Sequence, residues 1–310
     1  MIPIVDAHHH FWDLERNPYP WLAGEMDPAF RYGDYSAIRR SYLPEDYRRD
    51  TARQGVLRTV HMEAEWDVAD EVGETRWLHD VQARHGLPTV MVAHARLEGD
   101  DVEKVLAGHA AFPAVRGVRQ KPAAAPSPGR VVRGAPGSMD DPRWRRGYAL
   151  LEKYRLSYDL QTPWWHLAEA ADLARDFPRT QIIVNHTGLP ADRSREGLAE
   201  WRRALETVAA RPNVAIKISG LGQRDHSWPW DGNRQIVQDT IAIFGVDRCM
   251  FASNYPVDRL CASYDTIFGA FRRFVTDRTG ADQTKLFHDT AVRVYRMNDV
   301  GTPSRFDARD

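Results

Sequence analysis

Three successive imidazoles, His8-His9-His10, follow the apolar run Ile2-Pro3-Ile4-Val5 and Asp6-Ala7. Side chains alternate along a strand, so His8 and His10 share one face and His9 takes the other. Two imidazoles at i, i+2 can ligate a metal or exchange hydrogen bonds with a substrate carbonyl. A polar cluster on a loop or a tag remnant is the plainer reading; the strand before the histidines and Phe11-Trp12 immediately after them argue against a tag. His186, between Ile182-Ile183-Val184-Asn185 and Thr187-Gly188, is the second such signal. Further polar residues stand at the ends of apolar runs: His61 and Glu63, His94 and Arg96, Arg119, Asp159 and Gln161, Lys217 and Ser219, and Asn254. Glu63 is better placed than Glu65, though either suits a solvated loop. His61 and His94 equally suit a face turned away from a site, because the face changes at every residue. Lys217 lies between Ile216 and Ile218, where a lysine needs either a carboxylate partner or an opening.

These residues need a scaffold that gathers strand ends. Apolar runs that read as strands occur at 2–6, 57–61, 89–95, 115–119, 157–161, 181–185, 214–219 and 249–253. Helical patterns stand between them at about 44–54, 68–85, from 100, 141–154, 166–176, 198–208 and 235–244, with another around 267–275 and a last one at 282–295. Short apolar strands suit a parallel sheet covered on both faces. Eight strand–helix units predict a single-domain α/β (β/α)8 (TIM) barrel over residues 1–300, with chemistry at the strand C-termini. An open doubly wound sheet fits less well, since no Gly-x-Gly-x-x-Gly follows the first strand. Two long loops interrupt the pattern. Residues 11–43 are dense in Pro, Gly and aromatics, and predict a flap over the site. Residues 120–138 are rich in Pro, Ala and Gly. Residues 301–310 read as a tail.

The 310 residues carry 42 Lys+Arg against 43 Asp+Glu, a formal net charge of -1, so neither nucleic acid nor an anionic membrane is implied as a partner. A small-molecule substrate is the expected partner; nothing sets the oligomeric state. No signal peptide or membrane span is read from the chain. Cys249 and Cys261 form no disulfide framework and read as buried thiols of a reducing cytoplasm. Loop tryptophans, among them Trp21, Trp66, Trp164 and Trp165, can wall a pocket.

Together, Asp6-x-His8-x-His10, Asn185-His186-x-Gly188-x-Pro190 and Met250-Phe251-Ala252-Ser253-Asn254-Tyr255-Pro256 resemble the amidohydrolase-2 family, closest to its lactonase-like (β/α)8 hydrolases. The resemblance covers most of the chain and maps His8, His10 and His186 onto the site. It implies sugar-lactone or pyrone-dicarboxylate lactonase chemistry, and the wider family includes metal-dependent decarboxylases and hydratases. The family pattern carries an aspartate at the end of strand eight; here Asn254 stands there, and an amide neither takes a proton from water nor ligates metal well.

The expected reaction is hydrolysis of the lactone of a small sugar acid or dicarboxylate, with no cofactor required. His8, His10, His186 and Asn254 form its catalytic set: one neutral imidazole takes the proton from water and the others donate to the oxyanion. Asn254 orients water, with Asp258 or Glu63 as a substitute base. Glu63, Arg119, Lys217, Gln161 and Trp165 are the expected substrate contacts, Arg119 with Lys217 binding a carboxylate. Two alternatives remain: one divalent metal such as Zn held by His8, His10 and His186 for hydrolysis or decarboxylation, and a non-catalytic small-molecule-binding barrel.

Overall fold

The structure, a computed structural model, describes residues 2–299; the tail read at 301–310 lies outside the described residues. Eight strands form one sheet: β1 (Ile4–His9), β2 (Val56–Met62), β3 (Val90–His94), β4 (Val115–Arg119), β5 (Ser157–Leu160), β6 (Ile182–Val184), β7 (Val214–Ile218) and β8 (Cys249–Phe251). Strand order follows chain order, and each strand pairs in parallel with the next. Just past β8, Asn254 N–H donates to His8 O at 2.8 Å and His10 N–H donates to Tyr255 O at 2.7 Å, joining the two ends of the sheet. The expected (β/α)8 barrel is what forms.

Helices follow the strands, among them Pro44–Thr51 before β2, Gly73–His85, Val102–Ala110, Pro142–Lys153, Leu167–Asp176, Arg195–Ala209, Trp230–Phe244 and Tyr264–Phe274. Trp230–Phe244 starts earlier than its periodicity suggests, because Trp230 packs on Phe274 with ring centroids 4.9 Å apart. The last helix is not continuous. A π-helical stretch, Lys285–Asp289, separates Gly280–Thr284 from Thr290–Val294. Its wider turn lets Leu286 and Phe287 pack among the surrounding helices, while Ala291, Val294 and Tyr295 join the barrel interior.

The apolar residues fall into two layers. Val5, Ala7, Val60, Met62, Val90, Val92, Ile183, Ala215, Met250 and Ala252 fill the inner one. Ile4, Val118, Leu160, Val184, Ile216 and Phe251 face the helices. This parity exposes a feature of β1 that alternation alone misses. With Val5 and Ala7 inward, unbroken alternation would send His9 inward and His8 and His10 outward. The β1–β2 register slips by one residue, from Asp6 opposite Thr59 to His9 opposite His61. Such a bulge inserts an extra residue and reverses the faces beyond it. His8 and His10 thereby turn inward. His9 packs outside against Phe11 and Tyr47, with ring centroids 4.5 and 4.7 Å away.

Candidate active site

Asp6, before the bulge, stitches the seam between β1 and the end of β8. Its carboxylate accepts from Ser253 N–H at 2.8 Å, Ser253 Oγ at 2.7 Å, and the hydroxyls of Tyr47 at 2.8 Å and Tyr264 at 3.2 Å. The seam fixes the backbone from which His8, His10 and Asn254 project. His8 lies between two other imidazoles: ring centroids are 5.0 Å to His10 and 4.6 Å to His186. Both His8 ring nitrogens are buried and lack a hydrogen-bond partner. Burial, then the charge of Lys217, holds His8 well below the usual imidazole range; burial likewise leads in lowering His10 and His186. The three are neutral at pH 7 and carry free lone pairs rather than charge.

His10 is oriented by one hydrogen bond. Its Nδ1 donates to Met62 O at 2.9 Å, which leaves the lone pair on Nε2. Nε2 stands 3.4 Å from Asn254 Oδ1. Asn254 adopts φ 57°, a left-handed conformation asparagine tolerates, and its Nδ2 donates to Asp258 Oδ1 at 2.6 Å. The amide is locked with its oxygen toward His10. His186 also sits at positive φ, within a turn of left-handed residues Thr187, Gly188 and Leu189, and its Nδ1 is hydrogen-bonded to Ser219 Oγ at 2.9 Å. Strained turns of this kind concentrate at functional sites.

Beside these residues lies a cavity of about 260 Å³ lined by His10, His186, Asn254, Arg119 and Gln161 and roofed by Trp21, Phe30, Arg31 and Tyr35 from the long loop. The loop does fold over the strand ends. Arg31 and Lys121 at this cavity were not singled out from sequence. An aromatic-flanked arginine (Phe30-Arg31-Tyr32) was the one available signal.

The other expected contacts are placed as follows. Arg119 is almost fully buried: its Nε and Nη2 donate to the Glu63 carboxylate and carbonyl, and its Nη1 to Gln161 Oε1 at 3.0 Å. Burial, the largest single influence, would raise Glu63; the charge of Arg119, with smaller contributions from His94, Lys121 and the Glu65 N–H, together outweighs it and holds the carboxyl at about 2. Glu63 faces a neighbouring cavity, with His94 and Arg96. Lys217 lies deep in the barrel, its Nζ 2.8 Å from Asp159 Oδ1, both side chains wholly buried. Tyr295 Oη at 2.8 Å and Asn185 Nδ2 at 2.9 Å also donate to that oxygen. Burial pushes Lys217 down to about 8 against the pull of Asp159. Neither Lys217 nor Trp165 is among the residues lining the cavity, and Trp165 donates its indole N–H to Ala125 O at 2.9 Å. His61 faces outward, packed near His9, and Arg96 pairs with Glu71 at the surface. Asp258 is buried behind Asn254, out of reach of the cavity. Cys249 is buried as expected, whereas Cys261 is only half-buried because it follows the turn Val257–Leu260 at the rim.

Residues 5–297 match the sequence pattern of the family described as Amidohydrolase. The chain belongs to that amidohydrolase family. It is a hydrolase. A Sinorhizobium fredii relative, the uncharacterized protein y4mH, is 42% identical over 296 residues, covering 96% of this chain and 99% of its own. An L-fucono-1,5-lactonase of Burkholderia ambifaria is 29% identical, covering 95% of this chain and 96% of its own. An amidohydrolase of Burkholderia multivorans, crystallised with bound zinc, superposes with a TM-score of 0.77 at 25% identity, over 95% of this chain and 99% of its own. Among the described residues, no helix of the amidohydrolase is long and apolar enough to cross a membrane.

That zinc-bound neighbour corrects one expectation. A reaction requiring no cofactor does not stand beside an amidohydrolase so similar that carries a metal. The donors in this chain suit zinc in kind: His8 is neutral and buried, with both nitrogens unpartnered. They do not form a finished shell. Among the described residues, no group of three or more His, Cys, Asp or Glu is arranged to hold an ion. Nδ1 of His10 and of His186 is already engaged by Met62 O and Ser219, and the strand-eight position holds an amide.

Proposed function

We propose that this amidohydrolase hydrolyses the lactone of a small sugar acid. The observation that carries the reading is His10: an uncharged imidazole whose Nδ1–H is fixed on a carbonyl, so that the Nε2 lone pair is directed beside Asn254 at the wall of a cavity sized for one small ring. The relatives named L-fucono-1,5-lactonase, at 29% and 27% identity over nearly the whole chain, support the substrate class. Trp21, Phe30 and Tyr35 offer apolar faces to a sugar ring, and Asn254, Gln161 and Arg119 offer polar edges.

In this reading water attacks the lactone carbonyl carbon and His10 Nε2 takes its proton. Asn254 Oδ1 accepts the second water hydrogen and so aims the oxygen. The tetrahedral oxyanion is held by donors at the cavity wall. The ring C–O bond then breaks, and the imidazolium of His10 returns its proton to the departing alkoxide, giving the open hydroxy acid. A zinc-class ion would be held by His8 with His186, and when bound it supplies Lewis-acid polarisation of a carbonyl. Arg119 and Glu63, each satisfied by the other, keep the wall rigid.

A panel of aldono-1,5-lactones and pyrone lactones, read by proton release, tests the reading. Turnover of at least one sugar lactone is expected, with His10→Ala lowering kcat/KM by about 10²–10³. A folded wild-type protein with no lactone turnover, or a His10→Ala variant of undiminished rate, refutes it.

A further inference from the structure

The cations at the cavity wall differ in how many donors they have left. Arg119 uses Nε, Nη1 and Nη2 within the protein. Lys121 is paired with Glu65 across the cavity mouth. Arg31 is held on one side only. Its Nη2 donates to Tyr32 Oη at 2.6 Å and reaches Asp258 Oδ1 at 3.4 Å, and its guanidinium carbon lies 4.4 Å from the Tyr32 ring centroid. Its Nη1 is buried and has no hydrogen-bond partner. The loop that carries it is fastened independently: Arg224 donates to Pro28 O at 2.8 Å and Phe30 O at 3.4 Å, and Tyr32 Oη donates to Asp258 Oδ1 at 2.7 Å. The guanidinium also lies against His186. A Cβ placed on Gly220 would stand 2.8 Å from Arg31 Nη2 and 2.7 Å from His186 Nδ1.

We propose that Arg31 is a catalytic residue of this site. Delivered by the long loop and braced by Asp258 and Tyr32, it offers its unused N–H donors to the oxygen that begins as the lactone carbonyl and ends in the product carboxylate. A buried guanidinium donor without an acceptor is satisfied when such an oxygen arrives, and a planar, permanently charged fork suits both the oxyanion and the carboxylate. Asp258 is then a positioning residue: one carboxylate aims both Arg31 and the Asn254 amide. The inference rests on the lactonase reading.

The experiment compares wild type with Arg31→Met, Arg31→Lys and Arg31→Ala on a lactone the wild type turns over, with added guanidinium as a rescue probe. Arg31→Met is expected to lose about 10²–10³ in kcat/KM, chiefly in kcat. Arg31→Lys is expected to recover little, and guanidinium to restore part of the Arg31→Ala rate. Arg224→Met removes a fastening of the loop to the Pro28 and Phe30 carbonyls but leaves Arg31 and its Tyr32–Asp258 brace in place, and is expected to stay within about tenfold of wild type. Arg31→Met within about threefold of wild type, no rescue by guanidinium, or an Arg224→Met loss as large as that of Arg31→Met each overturns the assignment. Wild type inert on every lactone sinks the lactonase reading instead. Arg31 is then judged by an aldonate's effect on Tm: a rise in wild type but not in Arg31→Met upholds the contact, and any other pattern overturns it.

Discussion

Lys217→Met is expected to destabilise the barrel heavily, although Lys217 touches neither solvent nor the cavity. Its Nζ and Asp159 Oδ1 are 2.8 Å apart with both side chains at 0% exposure. Removing one member of a buried ion pair typically costs about 3–5 kcal/mol, because the other charge stays behind in a medium that solvates it poorly. Asp159 keeps two charge-assisted hydrogen bonds, from Tyr295 and Asn185, which places the loss at the lower end, about 3 kcal/mol. For a domain of this size that is a Tm fall of roughly 5 °C. Urea unfolding with an unchanged m-value gives the free energy directly. The companion Asp159→Leu is expected to cost a similar amount by stranding the ammonium. The double variant Lys217→Met/Asp159→Leu is expected to regain part of the loss: apolar replacement of a whole buried pair is often close to neutral, but Tyr295 Oη and Asn185 Nδ2 lose the oxygen they donate to. A single variant within about 1 kcal/mol of wild type, or a double variant no more stable than either single, would mean the two buried charges are not coupled as described.

His61 is held by burial at about 3, against an ordinary 6.5. The native state cannot take the proton that the unfolded chain takes, so its contribution is complete above pH 6.5 and is lost as pH falls toward about 3, at up to about 1.4 kcal/mol per pH unit. His61→Gln is expected to flatten the stability–pH curve in that window by this slope; parallel curves for the two proteins would contradict it. Protein purified without chelator is expected to carry a zinc-class ion, and His8→Ala to lose most of it; equal metal content in both by elemental analysis would place the ion elsewhere.

The barrel was legible because eight apolar runs alternate with helical patterns and each run is too short for a helix of its own. The convergence of His8, His10 and His186 was legible from their places at strand ends, but the reason given for His8 and His10 was incomplete. Plain alternation carried on from Val5 and Ala7 would have turned both outward, and the bulge between Asp6 and His9 has no local signature such as a glycine. The need of Lys217 for a partner followed from its apolar neighbours; that the partner is Asp159, 58 positions earlier, depends on barrel register. Arg31 was not legible because a loop's side chains are aimed by long-range contacts, here Tyr32 to Asp258 and Arg224 to the Pro28 carbonyl. Asn254 is a poor guide to the metal, because one amide in place of an acid leaves the three imidazoles His8, His10 and His186 in place.

The seam between β1 and the end of β8 has a consequence for how the protein comes to exist. The contacts that position His8 and Asn254 join residues 247 apart, Asp6 and Ser253. Closing a loop of that length costs chain entropy before its contacts can offset it, and non-local pairing of this kind slows folding. On the ribosome, nothing emerging before Ser253 can complete the site, so no nascent fragment can turn over substrate. Activity therefore reports closure of the whole ring. A circular permutant opened between two helices far from the seam would turn that last encounter into a local one.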